Sequence, residues 1–185
     1  MPRFFAETED GIHPLWKAAV ETDSVLNAPV KLLNQVTRIW PAKGNIIWIV
    51  ENSSVCSTII DEVPDAPIIC THGQFRTASW IILEMLAKEN CTFYYSGDLD
   101  PEGIAMAQRL IDRYPMRVKL WRMDKYSYKQ VLSNEDVSTR LAKLELITDS
   151  ELLEVVEMMR LRKKAGYQEG LVDQLVGDMK VGFFM

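Results

Sequence analysis

Cysteine is scarce and unpatterned, with only Cys56, Cys70 and Cys91 in 185 residues. An odd count without metal-ligand spacing excludes a disulfide framework and a thiolate metal site, and gives the expectation of a reducing, cytoplasmic home. Long apolar runs are missing too. None approaches the ~20 residues of a membrane span, so no membrane partner is expected. The opening "MPRFFAETEDGIHP" lacks the basic-then-apolar order of a signal peptide. Positive charge is in deficit: 21 Lys and Arg against 26 Asp and Glu leave −5. That balance argues against a protein that grips nucleic acid by bulk electrostatics alone. It leaves room for one that meets phosphates through bound metal ions or beside a basic partner. Repeats and low-complexity segments are absent.

What is present suits one globular domain with small appendages: 48% hydrophobic residues, enough for a core, and 25% charged. The first forty residues read as helical. Asn27 can cap, Pro29 fits a first turn, and Val30, Leu33, Val36 and Trp40 recur on one side. "PAKGN" ends that pattern. Two periodicities then alternate. "IIWIV" (46–50), "APIICT" (66–71), "CTFYYS" (91–96) and "RVKLWRM" (117–123) are short apolar runs of the kind buried on both faces of a sheet. Between them, "SSVCSTIIDEV", "TASWIILEMLAKEN" and "PEGIAMAQRLIDRY" carry helical spacing. Strand–helix–strand order with short links implies right-handed crossovers and a parallel sheet covered by helices on both faces. The expected organisation is a helical extension over 1–43, a Rossmann-like α/β core over 44–128, and a helical extension over 129–185 packed on that core. Within the last, "SYKQVLSNEDVSTRLAKLE", residues 150–164 ending in "RLRKK", and "YQEGLVDQLVGDM" all read as helices.

Ligands of open α/β sheets sit at the carboxyl ends of the strands. The first strand ends in Glu51, the second in Thr71 to Gln74, and the third in Asp98 and Asp100. Each carboxylate alone has a structural explanation. Asp100 precedes Pro101 and a helix, which is an N-cap pattern. Asp98 suits a turn after Gly97, and Glu51 a solvated loop. Jointly they suit a hard cation such as Mg²⁺ or Mn²⁺, which takes oxygen ligands and can be held by few carboxylates. A cation would turn the repulsion between Asp98 and Asp100 into shared ligation.

Glutamate after the first strand followed by "GDLDPEGI" after the third resembles a Toprim domain of the topoisomerase VI A-subunit type. "VENSSV", "ICTHGQFRTAS", "FYYSGDLDPEGIAMA" and "LWRMDKYSY" are most similar to the C-terminal Toprim region of bacterial JetD-like proteins of Wadjet plasmid-defence systems. The likeness runs from about Ile46 to Tyr128. It implies a metal-dependent hydrolase that cleaves DNA phosphodiesters, with Glu51, Asp98 and Asp100 as ligands and catalytic residues. Two ions could share the work, or Glu51 could serve as general acid or base. Implied partners are DNA, other defence-complex subunits or a missing N-terminal domain, and a second copy in a homodimer. The winged-helix tyrosine that topoisomerase VI uses for cutting has no recognisable counterpart, so water is the expected nucleophile.

His72, Gln74 and Arg76 in "THGQFR" can contact a phosphate, with Gly73 allowing close backbone approach; they equally suit a polar loop. "RLRKK" can follow a nucleic-acid backbone or simply complement a helix dipole. Glu169 reads as a solvated helix residue. The tryptophans and cysteines fall in buried-looking segments. Two other classes remain: a non-catalytic module for assembly or nucleic-acid docking, and an aspartate-nucleophile phosphatase. The phosphatase places its Asp-x-Asp after the first strand, where this chain has Glu51.

Overall fold

A computed structural model describes residues 3–182. Its centre is a four-stranded, all-parallel sheet built from β4 (Ile46–Val50), β5 (Ile68–Cys70), β6 (Thr92–Ser96) and β7 (Val118–Leu120), in the order β5-β4-β6-β7. Ile47, Ile49, Phe93, Tyr95 and Ile68 are fully buried. That is why these segments read as unbroken apolar runs rather than alternating ones. Helices α3 (Ser53–Glu62), α4 (Thr77–Lys88) and α5 (Pro101–Arg113) make the crossovers. Their starts follow from local chemistry. The Asn52 side chain accepts the Ser54 N–H at 2.8 Å and begins α3. Asp100 caps α5, with Pro101 at the first helical position.

The N-terminal region departs from the helical reading. β1 (Phe4–Thr8) pairs antiparallel with β2 (Gly11–Ile12) and β3 (Arg38–Pro41) in a separate three-stranded sheet. Its helices are only α1 (Pro14–Glu21) and the four-residue α2 (Val30–Leu33). The spacing Val30, Leu33, Val36, Trp40 crosses a single helical turn, a loop and a strand. Only Leu33 and Val36 of the four are buried, while Val30 is exposed and Trp40 partly so, and the regular spacing does not mark one helical face. Pro29, not Asn27, is the N-cap. This sheet is tied to α4 by Arg38, whose Nε and Nη2 donate to both Glu89 oxygens at 2.7 and 2.6 Å.

The C-terminal region is helical only in part. After α6 (Lys125–Gln130), the chain forms β8 (Leu132–Asp136) rather than continuing the helix. β8 pairs antiparallel with β9 (Lys164–Gly166), so an extended partner overrides local helix preference. A 3₁₀ segment (Ser138–Leu146), α7 (Ser150–Arg162), a 3₁₀ turn (Gln168–Leu171) and α8 (Val172–Gly182) complete the fold. "RLRKK" is split: Arg162 ends α7, Lys163 caps it with left-handed φ of 55°, and Lys164 starts β9. No helix among the described residues is long and apolar enough to cross a membrane.

Candidate functional site at the carboxyl edge of the parallel sheet

β4 and β6 are neighbours, in register Ile49 with Tyr95 and Val50 with Ser96. Glu51 and Gly97 therefore leave the sheet side by side. The Asp98 N–H donates to Glu51 Oε2 at 3.3 Å. A Cβ on Gly97 would stand 2.6 Å from the Tyr95 hydroxyl and 2.9 Å from Glu51 Oε2, so only glycine leaves room for the glutamate. A Cβ on Gly103 would overlap the Asp98 carbonyl oxygen, because the first turn of α5 lies directly on that peptide. Leu99 is fully buried and exchanges two 2.9 Å backbone hydrogen bonds with Gly166. The spacing of "GDLDPEG" is thus a packing requirement. Its two glycines admit the glutamate and the helix, its leucine anchors the loop, and its two aspartates flank that anchor.

Electrostatically the cluster is unbalanced. Burial pushes the Glu51 carboxyl up to about 7, helped by the charges of Asp98 and Asp100 and opposed by the Asp98 N–H. Asp98 rises to about 6, again chiefly by burial. The Gln168 N–H, donated to Asp98 Oδ1 at 2.9 Å, works against that rise, while Glu169 and Asp100 add to it. Asp100 is raised by burial and by Glu102, against the Gly103 N–H and Arg140. A positive charge placed beside Glu51 and Asp98 would relieve both.

Asp100 is already engaged. Its Oδ1 accepts the Gly103 N–H at 2.8 Å, and its Oδ2 accepts Arg140 Nη1 at 3.0 Å. Among the described residues, no group of three or more His, Cys, Asp or Glu side chains is placed to hold a metal ion. The donor set that remains is Glu51 with Asp98. Around it, the hydroxyls of Tyr95 and Ser96 and the Gln168 Nε2 are buried without partners among the described residues. Two carboxylates with polar groups to receive bound water fit a hard cation that keeps part of its hydration shell. They do not form a closed three-carboxylate cage.

Of the phosphate candidates, His72 takes a left-handed φ of 52° and Gly73 follows at 89°. This turn wraps the strand end, with the Gly73 N–H on the Glu51 carbonyl at 3.2 Å. His72 and Arg76 line one cavity of about 580 Å³, and Gln74 lines another of about 360 Å³ beside Glu102 and Lys143. The three are not brought to one point. Exposed Arg160 and Arg162 lie on α7.

The C-terminal turn contributes what sequence reasoning missed. Gln168 is fully buried, and its Oε1 accepts the Asn52 N–H at 3.1 Å. Glu169 is exposed on its 3₁₀ turn, as the solvated-helix reading expects, and its Oε1 also accepts Asn52 Nδ2. Arg140 also holds Glu102 and Glu135. The signal for this turn was "YQEG": a Cβ on Gly170 would stand 2.7 Å from Val131 Cγ1, so the glycine marks close packing.

A model of the family described as "protein of unknown function C-terminus" (DUF2399) matches residues 26–179, from before the parallel sheet into α8. No curated protein matches the chain.

Proposed function

The chain belongs to the DUF2399 family, and from that premise and the acidic edge we propose that it is a divalent-cation-dependent nuclease module of Toprim type. Its substrate is DNA, and its setting is a plasmid- or phage-defence assembly. The observation that carries the reading is the meeting of Glu51 with the Asp98 loop on adjacent parallel strands, both carboxyls raised and without a cationic partner among the described residues. In this reading Glu51 and Asp98 hold Mg²⁺ or Mn²⁺, and the ion supplies charge neutralisation of the scissile phosphate and acidification of a bound water. Asp100 positions the Asp98 loop by capping α5 and joins the ligands only where Arg140 releases it. Where the ion sits on Asp98 and leaves Glu51 free, the raised Glu51 carboxyl is instead suited to proton transfer at the leaving oxygen. A further subunit, or a domain of the same assembly, supplies the basic surface that a chain of charge −5 lacks.

Mn²⁺ titration followed by a plasmid-nicking assay tests this. The parent chain binds the ion and nicks the plasmid; Asp98→Asn and Glu51→Gln lose both while keeping the parent circular dichroism. Variants that nick as fast as the parent overturn the reading.

One observation favours a second reading, a non-catalytic module for assembly or DNA docking: Asp100 is committed to its helix and to Arg140. A parent chain that binds DNA but takes up no Mn²⁺ at millimolar concentration supports that alternative.

A further inference from the structure

The cavity of about 580 Å³ between residues 25–28, α3 and the start of α4 has no part in the acidic site, and its charge is of the opposite sign. The cavity beside Gln74 is lined by Glu102 and Asp112, and a groove at the N-terminal sheet by Glu9 and Asp10. In the 580 Å³ cavity no described lining residue is acidic, although acids outnumber bases in the chain, and Arg76 and His72 stand at its exposed mouth. Arg3, Arg38, Arg122 and Arg140 each pair with a carboxylate. Among the described residues Arg76 pairs with none and donates no side-chain hydrogen bond. Arg76 is also the N-cap of α4, and its side chain has no acceptor to offer, so the first amides of that helix are uncapped beside it.

The rest of the wall has two characters. Ile60, Ile69 and Ile82 give it an apolar side. Ser53, Ser57, Ser79 and Asn27 bring hydroxyls and an amide that have no side-chain partner among the described residues except where Asn27 and the serines meet solvent. Thr71 and His72 close one end. That turn is fastened to the neighbouring strand, with the Thr71 N–H on the Val50 carbonyl at 3.0 Å and the Gly73 N–H on the Glu51 carbonyl at 3.2 Å. The cavity thus lies on the β5 side of the β4 end, while Asp98 stands on the β6 side.

We propose that this cavity holds one nucleotide unit, with its phosphate monoester on Arg76, His72 and the α4 amides beside it, and its base against the isoleucines. A phosphate alone would leave the apolar side wet, and a fatty chain would leave the serines and Asn27 without partners, which costs affinity. A nucleotide answers both, because its sugar and base edge carry donors and acceptors around an apolar ring face. The volume falls within the ~300–1,000 Å³ of small-molecule sites. A free nucleoside 5′-monophosphate and the 5′-phosphorylated end of a DNA strand share this chemistry. Neither a metal ion nor a carboxylate enters it, so the inference stands apart from the cation reading at Glu51 and Asp98.

The test is calorimetric titration of the full chain in EDTA at low salt. The probes are deoxyadenosine 5′-monophosphate, deoxyadenosine, inorganic phosphate, and one oligonucleotide with and without a 5′-phosphate. Expected is a single site for the mononucleotide, with deoxyadenosine and inorganic phosphate each weaker by about tenfold or more. Arg76→Met should weaken the mononucleotide by about tenfold and leave deoxyadenosine unchanged. Ser57→Phe, which fills the cavity from α3, should abolish both. Arg160→Met, which removes an equal charge from α7, should leave both unchanged. An oligonucleotide bound better with its 5′-phosphate than without assigns the cavity to a strand end; no difference assigns it to the free nucleotide. No uptake of the mononucleotide at millimolar concentration, uptake no tighter than that of inorganic phosphate, or parent-like uptake by folded Arg76→Met or Ser57→Phe overturns the proposal. Where one variant does not fold the other decides, and where neither folds the order of the three small probes on the parent chain decides.

Discussion

Two acidic clusters lie within a few residues of each other, and they are balanced differently. Around Asp100, Glu102 and Glu135, the chain supplies its own cations. Arg140 reaches all three, and Lys143 binds Glu102. Burial raises the Glu102 carboxyl, but the Lys143 bond and the charges of Arg140 and Lys143 outweigh it, and the net shift is downward. Around Glu51 and Asp98 no lysine or arginine pairs among the described residues, and both carboxyls rise. The two clusters diverge at Glu102, which is less buried and held down by its cations, whereas Asp100, buried like Asp98, is raised even beside Arg140. The contrast separates a structural acid cluster from one with charge to spare for a ligand.

Changes at the junction of the two clusters should have the largest effect. Gly103→Ala forces the α5 turn off the Asp98 carbonyl and should cost about 3 kcal/mol, read as a lowered urea midpoint or lost soluble expression. Arg140→Met strips the cation from the balanced cluster and should cost about 2 kcal/mol, since its acids are largely but not wholly buried. If the two clusters are separable, that loss leaves Mn²⁺ binding at Glu51 within a few fold. A collapse of binding would merge them into one site.

An effect of comparable size is expected from pH. The folded Glu51 and Asp98 hold protons up to about 7 and 6, which the unfolded chain has already released. Ion-free stability should therefore be fully supported below about pH 4 by these two groups and decline as pH rises toward 7. Glu51→Gln should flatten that decline, and a thermal melt series across pH measures it. Smallest of all, Mn²⁺ at ten times its dissociation constant should add about 1.4 kcal/mol at neutral pH, and nothing in Asp98→Asn.

Strands β4 and β5 were legible because they are almost wholly apolar and mostly buried, and β6 because its centre is; edge strand β7, with Lys119 exposed, was legible from its flanking apolar residues. Glu51, Asp98 and Asp100 were legible as strand-end acids. Their adjacency was not, since β4 and β6 pair across an intervening strand in the sequence. Nor was the division of labour. Asp100 looked like both a cap and a ligand, and only the reach of Arg140, forty residues on, separates the roles. The N-terminal sheet was hidden because β1 finds its partner β3 some thirty residues later, a pairing no local pattern encodes. The contacts of Glu169 and Gln168 were hidden for the same reason: they reach Asn52 and Asp98 through tertiary folding alone.

The Asp98 loop is pinned by Gly166 and Gln168, seventy residues downstream of the aspartate it steadies. On a ribosome, then, the acidic side chains emerge early, and the backbone that arrests them emerges late. A nascent chain halted at Arg162 carries Glu51, both aspartates and Arg140 but lacks the bonds from Gly166 and Gln168 that fasten Leu99 and Asp98. The timing of synthesis thus keeps the assembled edge from existing until nearly the whole polypeptide has been made.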